Sequence, residues 1–267
     1  MAVSGNLRKM VTELSSDVQY HLPISDKRVH LNPLIGSHLT LSFTGVINCI
    51  ECDRKSNKSF SQGYCFPCFR RLAACDSCIV SPEKCHYDAG TCREPDWAQS
   101  HCFVDHIVYL ANTSGVKVGI TSYAQVPTRW RDQGGTQAQP IARVQHRQLS
   151  GLLETALAKH VKDKTAWQTM LKGNGEAVSL EEKRQELMSL CEGDIQALQD
   201  RFGLQALQLL EDEPTVSINY PVVEFPTKVS AHNFDKNPLV EGKLMGIKGQ
   251  YLLLDTGVLN IRKFGGY

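Results

Sequence analysis

No run of about 18 consecutive apolar residues occurs anywhere in the sequence, so no membrane-spanning helix is expected. The opening stretch MAVSGNLRKMVTEL has no apolar core behind its charges, unlike a secretory signal, and reads as a short amphipathic helix. The chain is therefore expected in the cytoplasm. There is no internal repeat and no low-complexity segment, which speaks against a solenoid or a disordered linker. An excess of charge of one sign is also missing, with a net charge of +1. The apolar share of 42% and charged share of 21% fit a globular protein whose 267 residues can hold more than one core.

The near-zero net charge hides an uneven distribution. Residues 116–174 carry nine Lys/Arg against three Asp/Glu, and residues 175–213 carry three against ten. A basic middle followed by an acidic stretch suggests a phosphate-rich partner for the first and a protein partner for the second.

Cysteine is concentrated rather than scattered: nine of the ten fall between Cys49 and Cys102. In a reducing compartment, dense and regularly spaced thiols bind metal more often than they form disulfides. Cys49-x2-Cys52 and Cys65-x2-Cys68 are two knuckles separated by twelve residues. Each brings two thiolates to one ion, and together they close a tetrahedral shell of the structural zinc type, with no open position for catalysis. Cys75-x2-Cys78 is a third knuckle. A second zinc there takes its other ligands from Cys85, Cys92, Cys102, His86 and His101; Cys85 and Cys92 are preferred, with Cys102 as the replacement, a choice the spacing leaves open. Three knuckles without a thioredoxin-like context disfavour redox chemistry. Cys191, isolated among acidic residues, reads as a small buried hydrophobe.

Hydrophobic periodicity places a helix over residues 5–20, an alternating strand over 38–48, and strands in HIVYLAN (106–112), GVKVGIT (115–121) and QPIARVQ (139–145). Asn112-Thr113-Ser114-Gly115 makes a hairpin turn between the first two, and VPTRWRD (126–132) a short helix before the third. From Gln148 the period becomes helical, with Leu149, Leu152, Leu153, Ala156 and Leu157 on one face. KTAWQTMLKG (164–173) is a further short helix, and 179–211 reads as two acidic helices broken near Gly193. Strands return in TVSINYPV (215–222), GKLMGIKGQYLLLD (242–255) and GVLNIRKF (257–264).

Strand, strand, helix, strand, helix over 106–161, with Tyr109, Lys117, Arg129 and Glu154 on it, resembles the GIY-YIG nuclease superfamily. IVY (107–109) falls at that family's first motif and KVG (117–119) at its second. Arg129 matches the arginine of the first helix, and Glu154, in SGLLETAL, the glutamate of the next. The resemblance implies that Tyr109 orients or activates a water, Arg129 stabilises phosphate charge, and Glu154 holds Mg2+ or Mn2+. Such a site would be a divalent-metal-dependent phosphodiesterase, with ion, cation and aligned water doing the chemistry. The sequence departs from the pattern at Ile107, which stands for a glycine, at Lys117, which stands for the second tyrosine, and at Gln133, which stands for a histidine. Lys117 retains the charge to bind phosphate. More widely, QGYCFPCF, GTCREPDW, VYLANTSGVKVGIT, PTRWRDQGG and GIKGQYLLLDTGVLNIRKFGGY are similar to an uncharacterised bacterial family. That likeness implies the same cysteine module and core.

LLLDTGV (252–258) contains the Asp-Thr-Gly of aspartic proteases, but a second copy is lacking, and the triplet sits where two strands need a turn. Lys248, Tyr251, Arg262 and Lys263 would suit nucleic acid if they cluster. Trp167 with Met170 and Leu171 reads as a core face.

The expected architecture is α+β. Residues 1–48 supply a helix and a strand, 49–103 a two-zinc module, 104–175 a GIY-YIG-like core, 176–213 an acidic helical segment, and 214–267 a small β-barrel that the strand of 38–48 is expected to share. The expected function is nucleic-acid binding, RNA or DNA, with metal-dependent cleavage at the core. The rival expectations are a catalytically inactive adaptor that binds protein through its acidic helices, and a nucleic-acid-modifying enzyme.

Overall fold

Strands, not a helix, begin the chain. The computed structural model describes residues 2–161 and 166–267. β1 (Val11–Glu13), β2 (Gln19–Ile24) and β3 (Lys27–His30) form an antiparallel sheet in that order. The helix expected over 5–20 is absent because burial there runs with period two: Val18, Tyr20 and Leu22 all point into the core, and the chain bends at Ser15–Asp17.

β4 (His38–Ser42) leads into a hairpin of β5 (Ile47–Asn48) and β6 (Lys55–Ser56). The cysteine-rich segment that follows has two short helices, α1 (Phe66–Arg71) and α2 (Pro95–His101), joined by 3-10 turns.

The next strands stand close to where the alternation places them: β7 (His106–Asn112), β8 (Val116–Ser122) and, after α3 (Thr128–Asp132), β9 (Gln137–Val144). All seven residues of β7 are buried. The pleat divides them: Val108 and Leu110 enter one core, while Ile107, Tyr109 and Ala111 enter another. A strand buried on both faces must sit between two layers, and α4 (Arg147–Ala158) supplies one of them. Leu149, Leu153 and Leu157 of α4 are wholly buried against Val108, Leu110 and Ile141. His146 caps the helix, its Nδ1 accepting from the Leu149 N–H at 3.2 Å.

α5 (Trp167–Met170) realises the later part of the expected helix over 164–173, whose first two residues lie outside the described ones. Met170 and Leu171 are buried, and Trp167, partly exposed, stacks on Tyr251 with ring centroids 5.6 Å apart. The acidic stretch forms α6 (Leu180–Leu190) and α7 (Glu192–Phe202), parted at Cys191 rather than Gly193. Ser179 and Glu182 make half a capping box, the serine hydroxyl accepting from the Glu182 N–H at 3.2 Å. Cys191 is buried in the α4 core as a small apolar side chain. Helix does not continue to 211: Gly203 adopts φ +97°, which ends α7, and the chain becomes β10 (Leu207–Leu209). β10 and β11 (Val216–Ser217) both pair with β9, completing a sheet of order β10-β9-β7-β8 with β11 beside β9.

β12 (Leu239–Lys248), β13 (Tyr251–Leu254) and β14 (Gly257–Asn260) form an antiparallel meander, and Asp255-Thr256 makes the expected turn. β4 pairs with β12 from Leu239↔Ser42 to Lys243↔His38, so the strand before the cysteines does share a sheet with the last ones. That sheet is open, in the order β14-β13-β12-β4, and no closed barrel is found among the described residues.

Candidate functional site

The first two knuckles come together as their spacing requires. The β5–β6 hairpin carries Cys49 and Cys52, and Cys65 and Cys68 stand at the start of α1. The four sulfurs all lie within 4.8 Å of one another. Cys52 Sγ is 3.8 Å from Cys65 Sγ and 3.6 Å from Cys68 Sγ. A tetrahedron with metal–sulfur bonds of about 2.3 Å has edges of about 3.8 Å. Cys49, Cys65 and Cys68 are buried while Cys52 is exposed. Burial raises the Cys49 thiol, but N–H groups of Cys65, Cys52 and Glu51 outweigh it and bring it down to about 6. Cys68 is pushed up to about 12, by burial and then by its neighbours Cys52, Cys65 and Cys49. Four such thiols cannot all ionise unaided; a divalent cation resolves the conflict, and the donor set fits a zinc-class ion.

The third knuckle is split. Cys75 packs against Cys49, Cys65, Cys68 and Leu72 of the first cluster. Cys78 instead faces a second, small cavity lined also by Cys85, Cys92 and Cys102. His86 lines this cavity as well, whereas His101 stacks on Trp97 with centroids 4.1 Å apart.

A cleft of about 850 Å³ opens between the cysteine module and β8, α3 and α4. Lys117, Arg129 and Glu154 all line it. So do Arg8, Lys9, Arg147 and Arg262, giving six cations against the carboxylates of Asp132 and Glu154. Lys9 is paired with Asp132 at 2.9 Å. Arg147 is depressed by burial and by Arg129, and Arg262 likewise by burial and by Arg129. Three guanidiniums held near one another repel, and an anion entering the cleft relieves that repulsion.

Tyr109 does not line the cleft. It lies under β8, fully buried, across from Gly119 in the β7–β8 register. A Cβ on Gly119 would stand 2.6 Å from Tyr109 Cζ and 2.7 Å from its hydroxyl. Glycine is therefore required because the tyrosine ring covers the strand. In the amide orientation that satisfies its neighbours, Gln133 donates to the Tyr109 hydroxyl at 2.8 Å. Its oxygen then accepts from Arg129 Nε and Nη2, both at 3.1 Å. Burial pushes the Tyr109 hydroxyl up to about 12 despite Arg129. The Tyr109 hydroxyl thus connects to Arg129 through Gln133.

Lys248 does not join a surface cluster with Tyr251, Arg262 and Lys263. It is fully buried, its Nζ donating to Gly173 O at 2.8 Å. Sequence reasoning missed Arg8, Lys9 and Arg147 as cleft residues. Only Arg147 had a local signal, a cation opening the helix that carries Glu154.

Fold and site together define a mixed α+β protein with a four-cysteine cluster able to hold a metal ion, beside a basic cleft. The chain belongs to the family described as a protein of unknown function, DUF2797, whose model matches residues 36–267. No curated protein and no solved structure matches the chain.

Proposed function

We propose that this protein binds nucleic acid in the basic cleft and hydrolyses a phosphodiester there with a divalent ion, its cysteine module held by zinc. One observation carries the reading: Lys117, Arg129, Arg147 and Arg262 gather on one open cleft with Glu154 among them. The cations would neutralise backbone phosphates, and the arginines would do so bidentately. Glu154 would anchor Mg2+ or Mn2+ through its carboxylate, leaving other positions for water and a phosphate oxygen. The order β7, β8, α3, β9, α4 supports a GIY-YIG-like core. Tyr109 then acts at one remove, orienting Arg129 through Gln133, and Lys117 stands at the cleft in place of a second tyrosine. Zinc at Cys49, Cys52, Cys65 and Cys68 would be structural, since four thiolates leave no coordination position for substrate.

The test is anisotropy of labelled RNA and DNA, single-stranded and hairpin, over a salt series, followed by incubation with Mg2+ or Mn2+. Affinity should fall steeply with salt. Arg129→Ala and Arg262→Ala should each weaken binding about tenfold, the scale of one lost charge-assisted contact. Glu154→Gln should abolish cleavage while leaving binding intact. Salt-independent or absent binding would refute the reading; binding without cleavage by either ion would leave the protein a binder and refute the hydrolytic half.

A further inference from the structure

Cys78, Cys85, Cys92 and Cys102 come from four separate turns of the chain, yet all border one cavity of about 20 Å³. That volume is on the scale of a single water or ion. No disulfide joins any of them. Thiols bordering an ion-sized hole, in a segment nearly without large buried aliphatics, point to a ligand that supplies folding energy.

Two other donors stand nearby. Asp76, Cys78 and His86 place ligand atoms within 4.8 Å of one another. Asp76 and His86, however, are engaged by protein. Asp76 Oδ2 receives Arg93 Nε at 2.8 Å, and its Oδ1 receives the Ser77 N–H at 2.6 Å. His86 Nδ1 lies 2.8 Å from Thr91 Oγ1, and its Nε2 lies 3.4 Å from Asp76 Oδ2. Cys75 is drawn to the other cluster. The cavity's soft donors are the four thiols, whose sulfurs do not reach the mutual spacing of Cys49, Cys52, Cys65 and Cys68 and would close on an ion.

We infer that Cys78, Cys85, Cys92 and Cys102 bind a second thiophilic divalent ion of the zinc class, and that this ion anchors the start of α4. Four thiolates around a divalent ion carry a net charge of −2. Arg147 beside Cys102 partly offsets it. The anchoring follows from three contacts. Arg147 N donates to Cys102 O at 2.8 Å, Arg147 Nη2 to Ile79 O at 2.6 Å, and Gln148 Nε2 to Cys85 O at 3.5 Å. One turn on, α4 lies so close to the loop that a Cβ at Gly151 would be 2.7 Å from Pro82 Cβ. The ion thus ties the cysteine loops to the helix that presents Arg147 and Glu154 to the cleft. Because metal content is read without any nucleic acid, this inference stands or falls apart from the proposed function.

Native mass spectrometry of the full chain made in zinc-supplemented medium gives the test. Two ions per wild-type chain are expected, one per chain in Cys92→Ser and Cys102→Ser, and two in Cys75→Ser. Amides of residues 149–153 should exchange faster in Cys102→Ser while those of β12–β14 stay as in wild type. One ion per wild-type chain, or loss of an ion in Cys75→Ser with retention in Cys102→Ser, would overturn the assignment. Should the serine variants fail to fold, zinc-edge X-ray absorption on the wild-type chain decides. Two zincs per chain with four sulfurs per zinc support the site; one zinc per chain, or nitrogen or oxygen in the shell, rejects it.

Discussion

The sheet around β7 and the cysteine module face each other across the cleft, and they are held together by different physics. Every residue of β7 is buried, and it is packed from both sides by Val, Leu, Ile and aromatic side chains. In residues 49–103 the one large aliphatic side chain that is buried is Leu72; Cys49, Cys65, Cys68, Ala73, Pro82 and Ala98 are buried beside it. One region is organised by removal of apolar surface from water, which needs many contacts. The other has few buried apolar contacts and four cysteines that could hold a metal ion. The cleft therefore lies between one wall rich in apolar packing and one poor in it.

Chelation should break the comparison most visibly. A strong zinc chelator is expected to unfold residues 49–102 completely, seen as loss of amide protection there, while β7–β9 remain protected. Equal exchange with and without chelator would show that the module has a metal-free core after all. Leu153→Ala should act in the opposite sense, costing about 2–5 kcal/mol in denaturant unfolding of the sheet layer without changing metal content.

Lys248 sharpens the contrast at smaller scale, because here the apolar side buries a charge with no metal. Its Nζ is met by Gly173 O and Asn174 Oδ1 and lies over the rings of Tyr220 and Phe225. Burial lowers it from 10.5 to about 8. Between those values the unfolded chain holds the proton more often than the folded one, so stability should rise with pH through that window. The rise amounts to about 3 kcal/mol by the conversion of pK shift to free energy. Lys248→Met should abolish it, and an unchanged slope in the variant would show that Lys248 is not its source.

What could be read from the residues follows the same division. β7, β8, β9 and α4 were legible because their apolar residues repeat with the period of the element, and a strand buried on both faces announces itself as an unbroken apolar run. The first cysteine set was legible because each pair closes within four residues. Cys75 and Cys78 obey the same local rule and are nevertheless parted, since an intervening turn at Asp76 directs them to different clusters. Leu7, Met10, Val11 and Leu14 recur at three and four, the spacing of a helix, yet Val11 pairs with His21 in a strand. Arg8 and Arg262 reach the cleft from distant parts of the sequence, and no short-range pattern marks them. Lys117, Arg129 and Glu154 could be proposed from their order along the chain, whereas the burial of Tyr109 depended on Gly119 opposite it.

The pairing of β4 with β12 has a consequence for synthesis. Gly242 meets Leu39, a partner made some two hundred residues earlier. Closing so long a loop is entropically slow compared with the local contacts inside it. On the ribosome, the cysteine loops and the β7–α4 layer emerge whole before β12 exists. β4 therefore has no partner strand until β12 is made, and the sheet the two share is expected to assemble late.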